Sequence, residues 1–126
     1  MAPRTFDSFS AFWPYYAAEH SNPMTRILHA VGTVTGLVLA IGAIIMGKWW
    51  WLALAFVPGY GLAWIGHFFF EKNKPATFQY PLWSFMSDWK MLSLMMAGRM
   101  SREVERAMKS AANSEQSTTG ASACKK

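Results

Sequence analysis

The chain has 126 residues, 52% of them hydrophobic and only 15% charged, with a formal net charge of +5. That length bounds it to one domain, and so low a charged share argues against an ordinary soluble globule. The positive balance needs no nucleic-acid partner, and the single cysteine, Cys124, excludes an intrachain disulfide framework and any cysteine-based metal site.

Residues 6–20 read as an amphipathic helix, with Phe6, Phe9, Phe12 or Trp13, and Tyr16 recurring at three- to four-residue spacing. Pro14 is expected to kink or restart it. The segment is too short and too mixed to span a bilayer. It is predicted to lie at the membrane interface, its aromatic rings at headgroup level, and it ends in Glu19-His20.

Two runs of eighteen residues without a charge follow, Ala30 to Gly47 and Trp49 to Gly66, each long enough for a transmembrane helix. Neither has the position or the flanks of a signal peptide. Asn22-Pro23 supplies an N-cap and a proline at the first helical position, so the first span is predicted from Pro23 to about Met46. Gly47-Lys48 offers a turn, and Trp49-Trp50-Trp51 an aromatic belt at the far interface. The second span is predicted to reach about Lys72, with a bend at Pro58-Gly59 and a stop at Asn73-Lys74-Pro75.

Tyr80-Pro81 opens a further helix to about Ala97, closed by Gly98. Asp88 and Lys90 at its middle make a lipid-exposed span unfavourable. This helix is expected to pack against the hairpin or lie at the interface, with a third span as the alternative. From Arg99 the chain turns polar, and after Ala112 it is rich in Ser and Thr, so residues 99–126 are predicted to be a disordered tail.

The expected fold class is an all-α membrane protein. It comprises an interfacial amphipathic helix, a two-helix transmembrane hairpin, a further membrane-associated helix and a disordered C-terminal tail, with the membrane-embedded domain at residues 1–98. Arg4, Arg26, Lys72, Lys74, Lys90 and Arg99 fall on one side of the hairpin, and Lys48 stands alone on the other. The positive-inside rule therefore puts both termini in the cytoplasm.

The chain has three histidines, His20, His29 and His67. His29 and His67 lie nineteen residues before and after Lys48, roughly 28 Å from the hairpin tip at the helical rise. They should meet at one depth, just inside the cytoplasmic boundary. His29 shares its face with Gly32, Thr33, Gly36 and Ala40, and His67 shares its face with Ala63, Gly59 and Ala55. Small-residue faces are where membrane helices approach closely, so both histidines are expected to look inward.

His20 should arrive at the same level across the turn before Pro23. Three imidazoles and a carboxylate converging at one depth suit a transition metal, and a His-plus-carboxylate set with open positions suits non-haem Fe(II). The bland reading of each histidine is an interfacial hydrogen-bonder, but three falling at one depth favours the metal. Glu71, one turn beyond His67, is a candidate either as a ligand or as the partner of a histidine's second nitrogen. Asp88 and Asn73 complete the candidate site residues.

The runs Phe12-Trp13-Pro14-Tyr15-Tyr16…Glu19-His20-Ser21-Asn22-Pro23, Arg26…His29-Ala30-Val31-Gly32 and Gly59-Tyr60…Trp64-Ile65-Gly66-His67-Phe68…Glu71-Lys72-Asn73-Lys74-Pro75-Ala76 resemble one small membrane family. So does Tyr80-Pro81-Leu82-Trp83-Ser84…Asp88. The resemblance covers roughly residues 6 to 98, and the family includes the yeast 2-hydroxy fatty acid dioxygenase of the endoplasmic reticulum. It implies Fe(II)-dependent α-oxidation of long-chain 2-hydroxy fatty acids with O₂, including those from phytosphingosine breakdown. It implies the three histidines as the metal-bearing positions. Glu71 and Asn73 match motif positions without an assigned role.

The implied location is an integral membrane protein, of the endoplasmic reticulum if eukaryotic and of the inner membrane if bacterial. No motif for a nicotinamide or flavin cofactor accompanies these residues. Two rival readings stand beside the dioxygenase. One is a haem held by two facing histidines, and the other is a scaffold hairpin whose histidines hydrogen-bond across helices. Three histidines are too few for a histidine-box di-iron enzyme.

Overall fold

The computed structural model describes residues 5–124 and is all-helical among them. Helix α1 (Phe9–Ala18) begins at Ser8, whose hydroxyl accepts the Ala11 N–H, and it runs through Pro14 without a break. Pro14, which the sequence offered as a possible restart, lies inside the continuous helix. Helix α2 (Pro23–Ile45) starts as the sequence predicts, with the Asn22 side chain capping Met24 N–H and Pro23 in the first turn. Helix α3 (Trp51–Ile65) passes into a π-helical turn, Gly66–Glu71. A short 3₁₀ turn (Ala76–Phe78) leads to α4 (Pro81–Met96), and α5 (Met100–Ala123) closes the chain.

Helices α2 and α3 form the expected hairpin, and glycine lets their backbones touch. A Cβ on Gly32 would stand 2.7 Å from Pro58 O, and one on Gly36 would stand 2.7 Å from Ala55 O. Neither distance tolerates a side chain, so the crossing depends on both glycines. The two helical segments, Pro23–Ile45 and Trp51–Glu71, are long and apolar enough to cross a membrane. Only 17% of either apolar window is buried inside the protein. Their outer faces carry Val38, Ile45 and Val57 at 62, 79 and 64% exposure, so the apolar surface of these helices is not covered by the rest of the chain.

The remaining helices build a second, aromatic core beside the histidine end of the hairpin. Phe12, Trp13, Tyr16 and Ala17 of α1 are buried together with Met91 of α4 and Met100, Val104 and Ala107 of α5. Phe12 alone lies within 6.0 Å, centroid to centroid, of Phe6, Tyr15, Tyr16, Tyr80 and Trp83. Two expectations are corrected here. The α1 stripe is not left open but packs against α4 and α5, which cover it. The C-terminal segment is helical and not disordered: α5 docks through Met100, Val104 and Ala107, spaced one turn apart, and Glu103 accepts the Trp13 indole N–H at 3.2 Å. Those few anchors nucleate a helix that its Ser/Thr-rich composition did not suggest.

Candidate metal centre

The three histidines meet. One ring nitrogen from each of His20, His29 and His67 lies within 4.8 Å of the other two, and all three residues are buried. The rings stand edge to face in every pairing, with centroids 4.5, 4.6 and 5.1 Å apart. Each imidazole is oriented by a different local device. His20 sits just past the end of α1, where its Nδ1 lies 2.7 Å from Tyr16 O, one turn back. His29, within α2, places its Nδ1 3.0 Å from Thr25 O by the same one-turn reach. His67 lies on the π-helical turn, and its Nδ1 meets Asn73 Oδ1 at 2.7 Å.

The Asn73 contact needs irregular backbone. The N–H groups of Lys72 and Asn73 both bond to His67 O, and Lys72 adopts the left-handed region at φ 56°. A π turn closed by a left-handed residue swings the chain back, so that a side chain six residues on reaches the histidine. Asn73 is fixed the right way round, because its Nδ2 donates to Glu19 O at 3.2 Å and to Glu19 Oε2 at 2.6 Å. Its Oδ1 is therefore the atom facing His67.

These contacts determine the tautomers. Every Nδ1 faces an oxygen acceptor, so the proton sits on Nδ1 and the lone pair on Nε2 in all three rings. Burial, reinforced by the neighbouring imidazoles, pushes His20 well below its ordinary pKa, which keeps it neutral. Two lone-pair nitrogens then confront one another, His20 Nε2 and His29 Nε2, at 3.2 Å. That arrangement is repulsive unless a cation joins them. Two nitrogens bound to one ion at about 2.0–2.1 Å stand roughly 3–3.4 Å apart, so the His20–His29 pair has the spacing of two ligands of one transition-metal ion, and a nitrogen of His67 lies within 4.8 Å of both. A flat haem between His29 and His67 would have to displace His20, whose ring stands against both.

The other sequence candidates divide. Glu71 does not hold a histidine's second nitrogen: its carboxylate accepts Ser21 Oγ–H at 3.0 Å and Asn22 N–H at 2.5 Å. It clamps the turn between α1 and α2, near the uncompensated N–H groups at the start of α2. Arg26 holds the other side of that turn by donating to His20 O and Ser21 O at 3.1 and 3.2 Å. The side chain that meets a histidine's second nitrogen is instead that of Asn73, to which the sequence assigned no role.

Asp88 lies across the site and accepts a hydrogen bond from the Tyr16 hydroxyl, while Tyr16 stacks on His20 at 4.1 Å. Burial pushes the Asp88 carboxyl up to about 7 and the Tyr16 phenol well above its ordinary value. Sequence reasoning counted Tyr16 only as part of an apolar stripe and gave Glu19 no role. The i, i+4 spacing of Tyr16 and His20 was the available signal.

Tyr16, His29, His67 and Asp88 form the head of a cavity of about 320 Å³ that continues along the hairpin. Beyond the head its walls are apolar, formed by Gly36, Leu37 and Ala40 of α2 and Leu52, Ala55 and Phe56 of α3. A polar head with buried nitrogen donors and an apolar trough is matched to an amphiphile.

Comparison with known proteins agrees with this chemistry. A family model described as "Mpo1-like: 2-hydroxy-palmitic acid dioxygenase Mpo1-like" matches residues 6–100, which include all three histidines, Asn73 and Asp88. No curated protein and no solved structure shows significant similarity to the chain. The match extends over most of the 126 residues, from the start of the aromatic core to the first turn of α5, and on that ground the chain belongs to the Mpo1-like family.

Proposed function

We propose that this protein is an integral membrane dioxygenase that converts a long-chain 2-hydroxy fatty acid and O₂ into the fatty acid one carbon shorter, CO₂ and water. The observation that carries the reading is the facing pair of lone-pair nitrogens, with the third imidazole beside them, at the polar head of an apolar trough. His20, His29 and His67 are the ligands we assign to Fe(II). The bound iron would supply the one-electron chemistry that ground-state O₂ requires. The substrate itself provides all four electrons, so the reaction calls for no nicotinamide, flavin or oxo-acid co-substrate.

The chain's own residues do the rest. Tyr16 O, Thr25 O and Asn73 Oδ1 hold the imidazoles with Nε2 directed inward. Asp88 can gain or lose a proton near neutral pH, and it lies at the head, where a substrate hydroxyl or carboxyl group would sit. Tyr16 orients it through the phenolic hydrogen bond. Glu71 we assign a positioning role, through Ser21 and Asn22. The trough excludes water from the reacting carbon and leaves the acyl chain on the membrane side.

With α2 and the α3–π segment as spans, the basic-residue asymmetry puts both termini in the cytoplasm. The metal centre then lies close to that surface. Anaerobic loading with Fe(II), followed by 2-hydroxypalmitate and O₂, should yield the one-carbon-shorter acid and CO₂ in equal amounts. An iron-replete protein that leaves the acid untouched would refute the assignment.

A further inference from the structure

The trough beyond the histidines has a blind end, and we infer that this end sets the acyl length the protein accepts, with Ala40 and Leu52 as the residues that measure it. The inference rests on the trough being the site of a 2-hydroxy acid. From His29 the cavity follows one face of α2 through Gly32 and Gly36 to Ala40, eleven residues, or about 16 Å of helix. The α3 wall ends at Leu52. Past these two residues the hairpin closes on itself. Ala43, one turn beyond Ala40, is fully buried, so the space between the two helices is filled there.

The trough is open along its side. Helix α4 contributes only Phe85, Asp88 and Trp89, one turn of wall beside the head. Further down, Leu37 and Phe56 flank the opening at 41 and 54% exposure. An acid in the bilayer can therefore slide in sideways, its carboxyl end reaching the histidines and its methyl end meeting Ala40 and Leu52. A cavity of about 320 Å³ is at the small end for ligand sites, so it takes one chain and not a two-chain lipid.

A methylene leaving lipid for this trough gains little from the hydrophobic effect, since lipid tails are as apolar as the wall. Selection by length must then come from fit. A short chain leaves part of the wall without contacts, and a long one presses on the turn or bends out.

The test uses the full chain, iron-loaded in lipid discs. A 2-hydroxy acid carrying a diazirine at its terminal carbon should photolabel the peptides around Ala40 and Leu52. In a series of saturated 2-hydroxy acids, Ala40→Phe and Leu52→Trp should each shift the preferred substrate to shorter chains. The kcat/KM for long relative to short acids should fall about tenfold. Val57→Phe, on the outer face at 64% exposure, should keep the wild-type profile.

Labelling spread over outward residues such as Val38 and Val57, or an unchanged profile in both trough variants, overturns the inference. The wild-type label decides the matter even where a variant fails to fold. Labelling at Ala40 and Leu52 without turnover of any acid would refute the dioxygenase reading while leaving the measuring role of the trough intact.

Discussion

Replacing Asn73 separates the two tasks that its amide performs, holding His67 and tying the end of the π turn to α1. Asn73→Ala removes the acceptor for His67 Nδ1–H and the two donors to Glu19. Loss of an outer-shell partner costs about 10–100-fold in metal affinity, or roughly 1.4–2.7 kcal/mol. Loss of the donor contacts, one of them to a carboxylate, costs the fold roughly 2–3 kcal/mol. Asn73→Asp keeps an acceptor for His67 but sets a second carboxylate against Glu19. It should lower the thermal midpoint of the metal-free protein about as much as alanine does. Adding Glu19→Gln gives the new carboxylate a donor, though the contact to Glu19 O stays lost, so the double variant Asn73→Asp/Glu19→Gln should recover part of the midpoint and most of the metal affinity. Competition of Fe(II), or of Co(II) as a spectroscopic substitute, against a chelator under anaerobic conditions reads the affinity, and thermal unfolding reads the fold. Wild-type affinity in Asn73→Ala, or a double variant as poor in metal as the alanine variant, would refute the reasoning.

His20→Ala, His29→Ala and His67→Ala should each abolish turnover and sharply reduce bound iron by elemental analysis, while membrane insertion, which depends on the apolar runs, persists. Any one variant with full iron and full turnover would make that histidine structural. Asp88 has its carboxyl raised from 3.8 to about 7 by burial, so the folded protein holds a proton there that the unfolded chain has released. The stability from this group is complete below about pH 4 and is lost as pH rises through 7. Against Asp88→Asn, the wild-type unfolding midpoint should therefore decline across that window, and parallel pH profiles would contradict it. Removing residues after Ala112 should leave iron content and midpoint nearly unchanged, because that part of α5 is exposed. Removing α5 from Met100 onward should uncover Phe12 and Trp13 and destabilise the protein by several kcal/mol, measured by the same unfolding assay. Labelling of Cys124 by a membrane-impermeant thiol reagent should occur only from the cytoplasmic side, and labelling from the far side alone would invert or break the topology.

The hairpin and the aromatic half around α1 are packed by opposite means. In the hairpin, packing is made by absent side chains: Gly32 and Gly36 admit backbone oxygens at distances that no Cβ allows. Around α1, packing is made by large rings, with Phe12 and Tyr16 almost wholly enclosed. The histidine cluster sits at the seam, with one histidine from the aromatic half and two from the hairpin. The α1–α2 turn that joins them is clamped by Glu71 and Arg26, so the positions of the three rings depend on both halves being formed.

What the sequence determined by itself is what depends on regular periodicity. Charge-free runs, an Asn-Pro start and a Gly-Lys turn define two helices of nearly equal length, and equal length brings His29 and His67 together because rise per residue is constant. The small-residue stripes then set which faces meet. Tertiary structure decided whatever departs from that regularity. Asn73 reaches His67 only because the helix widens into a π turn and Lys72 turns left-handed, and no spacing rule for an α-helix predicts a contact six residues away on that path. Glu71, at the helical spacing that made it a candidate ligand, is rotated by the same π turn toward Ser21 and Asn22. The α1 rings look interfacial in sequence, since amphipathicity states that a face is covered and not by what. The last helix was invisible for a related reason: its composition predicts disorder, and only the docking of Met100, Val104 and Ala107 on those rings makes it fold.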